Sequence, residues 1–166
     1  TELTTASEKG STEAALILGM VYMAQGDTAN ARSFYQQYID ADGEDPAKGY
    51  NGLALCDIAD GDYDSALQNI SQGLGDATSD EMRDLLFNEI VDYEKKLDFS
   101  TALSKAQEYV QTFKDDEAAA KELTFLQSRV GNQAAATDTS EADTSGESTS
   151  EEAADTGVDE SSEESY

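Results

Sequence analysis

The stretch ADGDYDSAL, residues 59–67, decides how this chain is read. Asp60, Asp62 and Asp64 alternate with other residues, as ligands do at the start of a calcium loop, and the same letters suit a tight turn between two helices. An EF-type loop takes oxygens from positions 1, 3 and 5, turns sharply on Gly at 6 and closes with a bidentate Glu at 12. Counted from Asp60, the last two positions hold Ser65 and Ser71, so both the turn residue and the closing ligand are missing. The stretch DADGED at 40–45 puts Gly43 fourth and fails the same test.

The turn reading gains from two other places in the chain. AQGDTANAR from Ala24 and KKLDFSTAL from Lys95 align with ADGDYDSAL, with Asp27, Asp62 and Asp98 in one column and Ala31, Ala66 and Ala102 in another. The alanines lie 35 and then 36 residues apart, and self-similarity at such a period is the mark of a helical repeat array. Apolar residues at helical spacing precede each turn: Ala15, Leu16, Leu18, Tyr22 and Met23; Tyr50, Leu53, Ala54, Leu55 and Ile58; Leu85, Leu86, Ile90, Val91 and Tyr93. Shorter amphipathic stretches follow. The aspartates stand where a helix start needs a side-chain acceptor for its unpaired N–H groups. Gly26 and Gly61 stand where the preceding helix needs a residue that tolerates left-handed geometry.

These residues make the chain resemble the tetratricopeptide repeat family, whose pattern is W-x2-L-G-x2-Y, then A-x3-F, then P. The first repeat carries Leu18, Gly19, Tyr22, Ala31 and Tyr35, with Ala15 in place of Trp and Gly43 in place of Pro. The second has Tyr50, Leu53, Ala54, Ala66 and Ile70, with Asp57 where Tyr is usual. The third keeps Leu86, Tyr93 and Ala102 but has Glu89 for Leu and Leu97 in place of the turn glycine. The resemblance implies an all-α fold: a right-handed α-solenoid of antiparallel helix pairs, about seven helices over residues 12–130. A flexible segment, residues 1–11, is expected before it and a disordered acidic tail, 131–166, after it.

The resemblance also implies where a partner binds, because the first helix of each repeat lines a concave groove in such proteins. The expected groove residues are Leu16, Met20 and Met23 from the first repeat and Lys48, Asn51, Leu55 and Ile58 from the second. The third repeat adds Phe87, Val91 and Lys95. Most are apolar, and methionine adapts readily to a peptide surface. Some members clamp a C-terminal carboxylate with basic residues; here Asp84 and Asn88 stand where the third repeat would need them. The tyrosines at 22, 38, 50, 63, 93 and 109 read as packing residues.

The chain has 166 residues and a net charge of −26. Residues 131–166 contain eleven acids and no base, leaving −15 on residues 1–130. Such a tail has too little apolar surface to offset the entropy of ordering. An acidic balance of this size argues against nucleic acid and anionic membrane as partners, both of which select basic surfaces. No apolar run reaches the roughly 18 residues of a membrane span.

Catalysis is not expected. The chain has no His, the commonest general base and metal ligand. Its single Cys56 sits among Leu53, Ala54, Leu55 and Ile58 and reads as a small core residue. No glycine-rich phosphate loop, cofactor motif or metal-ligand spacing is present. The expectation is a protein-interaction scaffold that binds a protein or peptide, with no cofactor or metal. The start at Thr1 without Met, the acidity and the Ser/Thr/Asp/Glu-rich tail suggest an extracytoplasmic or bacterial surface setting in which the repeats present the tail. The alternative is a cytoplasmic protein regulated by phosphorylation of stretches such as DESSEES.

Overall fold

The computed structural model describes the backbone of residues 2–41 and 45–141, with side chains for residues 10–41, 45–75 and 77–133. The described residues form an all-α protein without strands: α1 (Glu2–Ala24), α2 (Thr28–Asp40), α3 (Pro46–Asp60), α4 (Tyr63–Asp76), α5 (Ser79–Lys95), α6 (Phe99–Thr112) and α7 (Glu117–Glu141). Each helix packs on the next, and α3 also touches both α1 and α5. The expected helix count and the apolar stretches therefore match the structure. Two boundaries differ. Helix α1 begins at Glu2, inside the segment 1–11, and α7 runs to Glu141, into the segment 131–166. Gly43 and residues 142–166 lie outside the described residues.

The three aligned stretches are three copies of one turn. Asp27, Asp62 and Asp98 each accept a hydrogen bond from the backbone N–H three residues on, at Asn30, Ser65 and Thr101. That bond satisfies one of the orphan donors at a helix start. Each capping aspartate also donates its own N–H back to a carbonyl five residues earlier, on Tyr22, Asp57 and Tyr93, the bond that closes a Schellman-type helix end. The residue before the aspartate is left-handed in all three: Gly26 at φ 77°, Gly61 at φ 80° and Leu97 at φ 62°. Leucine pays a steric cost there that glycine does not. Leu97 is also 70% exposed, so Leu97→Gly should stabilise the fold by about 1 kcal/mol in urea unfolding.

The aspartates of the opening stretch thus diverge. Asp62 caps α4, whereas Asp60 accepts from Thr28 Oγ1 at 2.8 Å and Arg32 Nη2 at 2.9 Å. Asp64 takes Lys96 Nζ at 2.7 Å. No group of three acidic, Cys or His side chains among the described residues is placed to hold a metal ion. The last two contacts tie the turn end of one helix pair to the next.

Between the turns, the alanine column marks the close crossings. Ala31, Ala66 and Ala102 are fully buried. Replacing Ala66 with Leu should overpack α3 against α4 and cost about 1–3 kcal/mol, whereas Ala29→Leu on the exposed side of α2 should be nearly neutral. Thermal melts of the two variants check this directly. Glycine serves the same purpose around Tyr35, whose ring lies in a slot between α1 and α3. A Cβ on Gly19 would come within 2.7 Å of that ring and one on Gly52 within 2.5 Å. Tyr35, Tyr38 and Tyr109 are buried, and Tyr22, Tyr50 and Tyr93 pack against the core clusters. Cys56 is fully buried, and burial pushes its thiol up to about 11.

Candidate functional site

Helices α3 and α5 lie side by side and, with α6 and the start of α7, line an open cavity of about 410 Å³. Its walls are Asn51 and Leu55 of α3, Arg83, Asp84, Phe87 and Asn88 of α5, Tyr109 of α6, and Asp116 and Ala118 at the start of α7. The spacing explains the arrangement. Residues 51 and 55, and 83–84 and 87–88, lie one turn apart, so each helix presents two successive turns to the same space. Leu55, Phe87 and Tyr109 make an apolar wall, with the Phe87 and Tyr109 rings edge to face at 5.8 Å between centroids. Asn88 Nδ2 donates to Asn51 Oδ1 at 2.7 Å, which leaves one amide oxygen and one amide nitrogen with capacity to spare.

The opposite side is a fixed polar network. Tyr109 Oη donates to Asp116 Oδ2 at 2.7 Å, while Asp116 Oδ1 accepts from the N–H groups of Ala118 and Ala119 at 3.0 Å. Those backbone bonds, and then the tyrosine, hold the Asp116 carboxyl below the usual range. Burial, and then the Asp116 carboxylate, push the Tyr109 hydroxyl up, so it stays a donor. Arg83 lies 4.8 Å over the Phe113 ring and reaches Asp115 at 3.5 Å and Asp116 at 4.0 Å. Burial, then Glu81 and Asp80, raise the Asp84 carboxyl. The cavity therefore offers an apolar surface, an amide pair, a positioned guanidinium and a tyrosine hydroxyl held by a carboxylate.

Of the residues expected to line a groove, Asn51, Leu55 and Phe87 meet in this cavity. Leu16 and Met23 instead pack against the cluster of Ala31, Tyr35, Leu53 and Cys56, with Met23 Sδ 3.9 Å from Cys56 Sγ. Met20 is 59% exposed on α1. Lys48 is engaged with Asp45 at 3.5 Å and Glu81 at 3.7 Å. Ile58 and Val91 are half-buried, and Lys95 is exposed at the end of α5; none of the three lines the cavity. Tyr109 and Asp116, which come from outside the first helices, also line the cavity and were not among the expected groove residues. Asn88 was detectable as the partner of Asn51 one helix pair on.

No protein-family model and no curated protein matches this chain. Among the described residues no helix is long and apolar enough to cross a membrane.

Proposed function

We propose that this protein is a tetratricopeptide-like scaffold that binds a segment of a partner protein, without catalysis, at the cavity between α3, α5, α6 and α7. The observation that carries this reading is the pairing of Asn51 with Asn88 beside the apolar wall of Leu55, Phe87 and Tyr109. Apolar walls with a few convergent polar groups make ligand sites: the apolar part supplies affinity and the amides fix orientation. The spare amide donor and acceptor suit the N–H and C=O of an extended chain. An inserted apolar side chain would cover Phe87.

A random-peptide display selection tests it. Wild-type protein should enrich peptides that share a large apolar residue. Leu55→Lys, which places a long charged side chain in the cavity, should lose them while retaining its helical circular dichroism. Phe87→Ala should weaken a selected peptide by about 1–3 kcal/mol, the usual effect of removing an anchor contact. Equal binding to wild type and Leu55→Lys would remove the cavity as the working surface.

A further inference from the structure

Helix α1 has a second face that no described element covers. Ile17 is 57% exposed, Leu18 40%, Met20 59% and Val21 43%, four of the six large apolar side chains that stand out from the described surface. They are not scattered. Gly10, Ala14, Ile17, Val21 and Ala24 are all exposed and follow one another at steps of four, three, four and three, the spacing with which one helix meets another along a seam. Ala15, Gly19 and the half-buried Tyr22 point the other way, into the fold.

We propose that this seam is a homodimer interface in which α1 pairs antiparallel with α1 of a second copy, crossing at Ile17. Two features of the seam favour a second copy, and a third sets its direction. It is self-complementary in size: Ile17 is central, Ala14 faces Val21 of the other copy, and small Gly10 faces small Ala24. An isologous two-fold contact needs that property. It is also free of charge, because no acidic or basic residue occurs from Ala14 to Gly26 in a chain whose net charge is −26. Two copies of so acidic a protein repel wherever carboxylates face each other, and this face avoids it. The antiparallel sense follows from Glu13. In a parallel pair the two Glu13 side chains would stand opposite each other. Crossed antiparallel at Ile17 they stand eight residues apart, about 12 Å along the axis at 1.5 Å per residue. That exceeds the screening length of about 8 Å at physiological salt.

Sedimentation velocity on the full chain should show a reversible species of twice the 17.8 kDa monomer mass at micromolar concentrations. Added salt should strengthen it, because screening relieves repulsion between the two acidic bodies. Ile17→Glu should return the protein to monomer with unchanged helical circular dichroism, since the side chain is exposed. Ile17→Cys should oxidise to a covalent dimer, because residue 17 meets itself on the two-fold axis and the native Cys56 is buried. Gly10→Cys should not, its two copies being about 21 Å apart along the axis. A monomer at every concentration would overturn the proposal. So would cross-linking through Gly10→Cys, which indicates a parallel pair, open-ended oligomers, or binding to neutral lipid vesicles in place of self-association. Leu55→Lys should dimerise like wild type, so loss of peptide binding and loss of pairing separate cleanly.

Discussion

Replacing Arg32 with alanine is expected to lower the unfolding free energy by about 3 kcal/mol, because it strips a buried carboxylate of its cation. Asp57 is 2% exposed within α3. Its Oδ1 takes the Arg32 guanidinium, its Oδ2 accepts from Asn69 Nδ2 at 2.6 Å, and Arg32 also reaches Asp60. A charge in that position is tolerated only while its hydrogen-bond partners are in place. Most of the loss should therefore come from Asp57 left behind, and the double variant Arg32→Ala with Asp57→Asn should recover more than half of it. Urea unfolding of the two single variants and the double measures this coupling. A loss under about 0.5 kcal/mol for Arg32→Ala would place the contact among ordinary surface pairs.

The second large effect has the opposite sign. Asp92, within α5, is fully buried as well. Neither Asp92 oxygen has a hydrogen-bond partner. Burial raises its carboxyl to about 6; Lys96 opposes the rise, while Asp64, Glu89 and Asp57 add to it. Glu94, two residues on, is raised to about 7 by burial and then by Glu122 of α7. A carboxyl raised on folding holds its proton longer in the folded state. Its contribution is thus lost as pH rises from the unfolded value near 4 through the folded one. Stability should fall between about pH 4 and pH 7 for this reason. Below about pH 4 it should fall again, as Asp27, Asp62, Asp98 and Asp116, all lowered by hydrogen bonds, become protonated. Asp92→Asn should raise stability by about 2 kcal/mol at pH 8 and change little at pH 4. Equal effects at both pH values would show that Asp92 carries no proton in the fold.

The recurring turn was legible because its determinants are local. A capping aspartate, a left-handed residue before it and an alanine four residues after it act within one turn, so the columns of Asp27, Asp62 and Asp98 and of Ala31, Ala66 and Ala102 could be read from spacing alone. The same locality excluded a calcium loop at Asp60, since position 12 simply lacks its ligand. Leu97 shows the limit of such reading: the backbone bonds of the third turn enforce a left-handed φ without glycine.

Everything that depends on residues more than about one turn apart was decided by the tertiary structure. Periodicity assigns Met20 and Met23 to one stripe, yet Met23 packs on Cys56 and Met20 stands in solvent. The difference arises because α3 covers one edge of α1 and no described helix covers the other. Asn51, Leu55 and Phe87 become walls of one cavity only when α6 and the start of α7 bring Tyr109 and Asp116 against them. Asp57 and Asp92 are both buried aspartates within a helix. One is paired and the other stranded because the partners of a buried charge come from other helices: Arg32 of α2 and Asn69 of α4 reach Asp57, and no donor reaches Asp92.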